Sequence, residues 1–207
     1  MRKRFLCLTL ALGILLFCAA CRPGSEPAEK IPMSPASGPG DPEYGTVSGR
    51  ALPDYAYDGS DPVEKLVYRT EIQRDLKKEN GHFLIESPQI VDTAQEGGLL
   101  KVFYISYGTA YLLWDSGKVT GSSAWCIPVA ATYQEQSGSY ALKKYEMPQD
   151  GDDLYAKSIR AFCTTPATGK EIAGLADRMM KMDFPGLKKH HDANLQKYLD
   201  QNGISVE

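Results

Sequence analysis

Residues 99–114 read LLKVFYISYGTAYLLW, and this stretch decides the fold. It is dense in β-branched and aromatic residues, which fit a pleated, half-buried surface, so it reads as a long strand. Gly108 in its middle suggests a bulge or a bend. The Asp115-Ser116-Gly117-Lys118 segment that follows is a turn signal. Residues 119–134 read as another strand region, with Gly121-Ser122-Ser123 loosening its start. Residues 136–139 make a hairpin turn around Gly138, and residues 140–147 alternate and close the set. On the upstream side, residues 82–91 carry FLIE and QIV around Pro88, a strand broken by a proline. Together these segments predict an antiparallel meander of four or five strands.

Helical patterns flank the meander. Ser60 or Asp61 can cap a helix with Pro62 in its first turn, continuing to about residue 80 before Gly81. Its apolar positions (Val63, Leu66, Val67, Ile72, Leu76) do not form one clean stripe, so it should contact more than one surface. After the sheet, Pro148-Gln149-Asp150-Gly151 is a break and residues 152–162 read as a short helix. A further helix starting at Thr168 or Gly169 places Ile172, Leu175, Ala176, Met179 and Met182 at helical spacing. Pro185 interrupts it, and residues 187–201 continue as a last helix before Gly203. One helix, a meander, then C-terminal helices predicts a single α+β domain over residues 60–203. The opening helix is expected to pack across one face of the sheet.

Upstream of the domain the composition changes. Residues 21–59 are rich in Pro, Gly, Ser and acid, with few large aliphatics. Such a stretch cannot bury enough apolar area to offset its ordering entropy, so it reads as a flexible spacer. Tyr44, Tyr55 and Tyr57 are the exceptions, able to dock on the domain or to bind something. Residues 1–20 hold a basic start (Arg2, Lys3, Arg4) and an uncharged apolar run over residues 5–20. That run is shorter than the roughly 20 residues of a spanning helix and has the shape of a secretory signal peptide. Ala19 and Ala20 precede Cys21, which resembles the lipobox of bacterial lipoproteins, although Cys18 stands where Leu is usual. The Cys21 thiol would be the nucleophile that takes a diacylglyceryl group, and two acyl chains make a stable tether where one is marginal. An ordinary signal peptide cleaved after Ala20 and a retained anchor are the alternatives.

Removing residues 1–20 leaves 20 basic against 26 acidic side chains, a net charge of −6. An acidic surface disfavours nucleic acid and anionic membrane as partners. Of five cysteines, Cys126 and Cys163 remain beyond the signal and Cys21. They could form one disulfide in an exported chain, or stay as buried free thiols.

Catalytic patterns are weak. Adjacent His190 and His191 on one helix point about 100° apart and cannot easily ligate one ion, and His82 reads as a solvated turn residue. The sequence holds no H-E-x-x-H, no G-x-S-x-G elbow and no phosphate-binding glycine loop. QDGDDLY does not fit a calcium loop. No cofactor or metal is therefore expected. Asp150, Asp152 and Tyr155 are the candidates for an unfamiliar enzyme site. The sheet aromatics are the candidates for a ligand surface, foremost Tyr104, Tyr107 and Trp125, although packing under the helices is the commoner fate of such residues.

A set of residues across the sheet resembles a known family. It comprises Val119-Thr120-Gly121-Ser122-Ser123, Pro128, Thr132-Tyr133, Gly138-Ser139-Tyr140, Leu142, Tyr145, Pro148, Asp150-Gly151, Tyr155 and Ser158-Ile159. This pattern is similar to an uncharacterised extracytoplasmic domain of Gram-positive lipoproteins, also appended to membrane metallopeptidases of the β-lactam-sensor type. The resemblance spans about residues 61–165. About three extra residues around Ala124-Trp125-Cys126 precede Pro128, and Cys163 stands where the family tends to have Pro. Both cysteines thus fall where the family has none, which favours a private disulfide. The resemblance implies an envelope location and a sensing or binding association, and no catalytic residues. The expectation is a lipid-anchored, non-enzymatic binding module on the outer face of a bacterial cytoplasmic membrane. Its partners would be the membrane, through the anchor, and an envelope protein, peptide or other envelope ligand. A regulatory partner of a membrane sensor is the alternative, and an enzyme using Asp150, Asp152 and Tyr155 is another.

Overall fold

A computed structural model describes residues 40–41, 43–75 and 79–205. The signal peptide, Cys21 and the first half of the expected spacer lie outside the described residues. In chain order the elements are β1 (Gly40–Asp41), β2 (Gly45–Thr46), α1 (Pro62–Asp75), β3 (His82–Glu86), β4 (Gln89–Glu96), β5 (Leu99–Leu113), β6 (Val119–Gln136), β7 (Ser139–Glu146), α2 (Asp152–Phe162), α3 (Leu175–Met180) and α4 (Phe184–Gln201). β1 and β2 pair as a small ribbon, and β3 to β7 form one antiparallel sheet, so the class is α+β.

β5 is the spine of the sheet. β6 runs along one side of it, with β7 beyond. β4 and β3 share the other side end to end, β4 against the first half of β5 and β3 against the second. The junction between them is Ser87-Pro88, where the missing proline N–H cannot serve a ladder. Gly97 and Gly98 turn β4 into β5 within two residues, with φ of 59° and 74°. A tight hairpin needs that left-handed backbone, and glycine adopts it without strain.

Gly108 is neither a bulge nor a bend. It pairs in register with Glu86 on one side and Trp125 on the other. A Cβ there would lie 2.4 Å from the Trp125 ring and 2.6 Å from the Glu86 carboxylate, so close approach is what the position demands. The bulge falls further on, where the register shifts between Ala110 and Tyr111 and Ser122 becomes the extra residue, its hydroxyl donating to the Ala110 carbonyl at 3.1 Å.

Alternation along β5 divides the core. Leu100, Val102 and Tyr104 face Leu66 and Val67 of α1, together with Val129, Ala131 and Tyr133. Phe103 and Ile105 face Ile159 and Phe162 of α2, Leu175 and Met179 of α3, and Leu187 of α4. A third cluster gathers Tyr68 and Ile72 of α1, Phe83 and Ile85 of β3, and Tyr198 and Leu199 of α4. α1 therefore serves two clusters with two sets of side chains, which is why its sequence shows no single stripe. Asp61 is its cap, accepting from the N–H groups of Val63 and Glu64 at 2.8 and 2.9 Å. Residues 76–78, where the helix was expected to continue, lie outside the described residues.

Three expectations need correction. Residues 43–59 are not spacer but a strap folded onto the domain. Val47 bridges Trp114, Ser48 N–H donates to the Leu113 carbonyl at 2.8 Å, and Tyr55 is buried among Tyr68 and Tyr198. Tyr57 stacks on Tyr68 with centroids 4.4 Å apart. Aromatic burial here outweighs the disordering composition around it. α3 starts at Leu175, not near Thr168, because Gly169 and Gly174 both take left-handed backbone (φ 67° and 69°) and hold residues 164–174 as a loop. Pro185 starts α4 instead of interrupting a helix. It sits in the first turn, where its missing N–H costs nothing, and Asp183 caps that turn through Gly186 N–H at 3.3 Å.

Candidate functional site

Tyr104, Tyr107 and Trp125 do not form one surface. Tyr104 is 0% exposed, and its hydroxyl donates to Glu71 at 2.5 Å. Trp125 shares that face of the sheet, half-buried over Gly108, with its indole N–H on Ser106 at 3.2 Å. Tyr107 lies on the opposite face, edge-on to His191 with centroids 5.1 Å apart. Period-two alternation separates 104 from 107 whatever their chemistry. Asp150 and Asp152 are exposed at the start of α2, while Tyr155 packs against the core beneath that helix. Neither of the two grooves described below is lined by any of the three. Cys126 and Cys163 are free thiols. Burial pushes each up to about 11, and Cys126 Sγ sits 3.7 Å from the Met182 sulfur.

Two buried polar networks escape a reading of local sequence. The first centres on Glu71, 0% exposed, whose carboxylate accepts from the hydroxyls of Tyr104 at 2.5 Å, Ser106 at 2.6 Å and Tyr145 at 3.3 Å. The Arg74 guanidinium lies over the Tyr145 ring, 3.4 Å from its centroid. The second joins Ser87 Oγ to His191 Nδ1 at 3.1 Å and Tyr111 OH to His191 Nε2 at 3.0 Å, with Asn194 donating to Ser87 at 2.9 Å. A serine beside a histidine suggests a nucleophile and its base. Here both are closed to solvent, and burial pulls His191 down to about 4, so it stays neutral. The network fastens α4 to the Ser87-Pro88 break. His190 pairs with Tyr68 OH at 3.0 Å and meets the same network through Asn194 at 3.4 Å.

The remaining chemistry collects in a groove of about 480 Å³ at the Leu99 end of β5. Lys101, Thr132 and Lys144 stand in one row across β5, β6 and β7. The register of β7 shifts between Thr132 and Tyr133, leaving Lys143 as the extra residue. A bulge re-aims side chains, and both Lys143 and Lys144 line the groove with Glu146. The loop over residues 164–169 walls the opposite side with Thr164, Thr165 and Thr168. Glu96 braces that loop, accepting from the N–H groups of Ala167 and Thr168 at 3.1 and 3.0 Å, and these bonds hold its carboxyl below the usual range.

Lys101 is the unusual member. It is 4% exposed and is the one charged residue of β5. Burial draws its ammonium below the ordinary value, and Glu146, 3.3 Å away, opposes that. Glu146 also accepts from Lys144 at 2.6 Å, so one carboxylate is divided between two cations. The sequence did carry a signal, a lysine inside LLKVF and a Lys-Lys pair in the closing strand, but only the register brings them together.

A second open groove, of about 800 Å³, lies where the strap meets the Asp115–Lys118 turn, lined by Tyr44, Arg50, Trp114 and Lys118 among others. Among the described residues no group of three His, Cys, Asp or Glu could hold a metal ion, and no helix is long and apolar enough to cross a membrane. No protein-family model matches the chain, and no curated protein or solved structure matches it either.

Proposed function

We propose that this chain is a non-enzymatic binding module, anchored by lipid on Cys21 to the outer face of a bacterial cytoplasmic membrane, with the lysine groove as its ligand surface. One observation carries the reading. A lysine that is 4% exposed shares its one carboxylate with a second lysine at the wall of an open groove, an arrangement suited to a ligand of opposite charge. The opening helix packed on the meander, and the resemblance of residues 61–165 to lipoprotein domains, support the envelope placement. The bound partner would be an envelope ligand.

The anchor is tested by intact mass on protein extracted from membranes. The expected species begins at Cys21 and carries a diacylglyceryl adduct. An unmodified chain, or one that keeps residues 1–20, would overturn the anchored reading.

A further inference from the structure

The groove carries more positive charge than its own acid neutralises. Its charged lining is Lys101, Lys143, Lys144 and Glu146, a surplus of two positive charges on a chain that is acidic as a whole. An ammonium has three N–H donors. Among the described residues, Glu146 is the only carboxylate within 4.0 Å of the Lys101 nitrogen. The Phe103 ring lies 5.4 Å from that nitrogen, and the one carboxylate is shared with Lys144, so the ammonium keeps donors that an added anion could take. The Thr132 and Thr164 hydroxyls line the same space and can donate to an oxyanion.

We propose that this groove binds a small phosphate monoester. This deepens the reading of the groove as the ligand surface and rests on it. A phosphate monoester carries about −1.5 to −2 charge at neutral pH and offers three acceptor oxygens. It matches the surplus of two, where a carboxylate or phosphodiester supplies only one charge. Lysine recognises phosphate as a point charge, without the fork geometry that arginine brings to planar carboxylates. The groove volume lies within the ordinary range of roughly 300–1,000 Å³ for small-ligand sites. A phosphatidylglycerol headgroup is a diester with a single charge, so vesicles of it separate a lipid source from a soluble or envelope monoester.

The test is isothermal titration of the full mature chain held in detergent-free nanodiscs of uncharged lipid. The probes are glycerol 3-phosphate, inorganic phosphate, acetate, and vesicles of phosphatidylglycerol. Glycerol 3-phosphate should bind one saturable site, more tightly than acetate or the vesicles, and more weakly as salt rises. Lys143→Ala with Lys144→Ala alters exposed side chains, so the fold should persist, and affinity should fall about tenfold or more for the loss of charged donors. Lys101→Met should lose binding further. An absence of saturable phosphate binding would overturn the proposal, as would an affinity unchanged in the double variant. Acetate or vesicles binding as tightly as the monoester would also overturn it, and would leave the groove standing as a ligand surface. An unlipidated Cys21 would sink the anchored reading without touching the titration.

Discussion

Glu71→Ala should destabilise the domain by about 3–5 kcal/mol, the combined scale of orphaned buried hydroxyls and a cavity. Glu71 is 0% exposed and receives three hydroxyls from β5 and β7. Alanine leaves the Tyr104 and Ser106 hydroxyls without their acceptor, at about 1–3 kcal/mol each, and opens a cavity between helix and sheet. Urea unfolding of wild type and variant measures the loss. A double-mutant cycle identifies its source. Tyr104→Phe should cost clearly less in the Glu71→Ala background than in wild type, because the hydroxyl it removes has already lost its partner. Equal costs in both backgrounds would show that the network is not coupled.

The same residue sets a pH dependence. Burial raises the Glu71 carboxyl above its ordinary value, against the opposing pull of the Ser106, Tyr104 and Tyr145 hydroxyls and of Arg74. A carboxyl whose pKa is higher in the folded than in the unfolded state contributes stability that is complete below the unfolded pKa. That contribution is lost as pH rises through the folded value. Wild type should therefore lose stability relative to Glu71→Gln, which does not titrate, as pH rises from about 4 towards neutrality. A difference that stays flat across that range would contradict the burial argument.

Trp114→Ala should cost about 3–5 kcal/mol, the range for truncating a buried large aromatic. Trp114 is 1% exposed, its indole N–H donates to Thr120 at 2.8 Å, and its ring lies 5.5 Å from that of Tyr44. Its backbone also bridges Val47, so the substitution acts on the docking of the strap as well as on the core. For a domain of this size the melting temperature should fall by about 6–20 °C. Trypsin should cut at Arg50 sooner, because Arg50 is placed by its bond to the Asn202 carbonyl and by the Gly81 N–H that donates to its own carbonyl. A variant that melts like wild type and is cut at Arg50 no faster would show that Trp114 does not hold the strap.

The sheet was legible because its signals are local. β5, the turn at Asp115–Lys118, the hairpin at Gly138 and the break at Pro88 each depend on residues within a few positions of one another. α2 was legible for the same reason, beginning after a Pro-Gln-Asp-Gly break. The strap was hidden because its composition averages to disorder while Tyr55 and Tyr57 find partners more than ten residues away in α1 and beyond. Glu71 looked like one polar position in an irregular helix. Its partners lie 33, 35 and 74 residues downstream, and nothing in α1 indicates them. The aromatics of β5 were the conspicuous residues, and alternation placed them on two faces. The lysines were the inconspicuous ones, and the bulge at Lys143 placed them together.

The most direct test of an exported module with an occupied lysine groove is amine labelling with a membrane-impermeant acylating reagent. Intact cells and purified mature protein are labelled in parallel, and each lysine is read by mass spectrometry. Lys157, Lys170 and Lys181 are exposed and serve as references. The expected result is that these three label on intact cells, while Lys143 and Lys144 label several-fold more slowly there than in the purified protein. Absence of any labelling on intact cells would contradict the extracytoplasmic placement, and equal labelling of Lys143 and Lys144 in both samples would contradict a ligand in the groove.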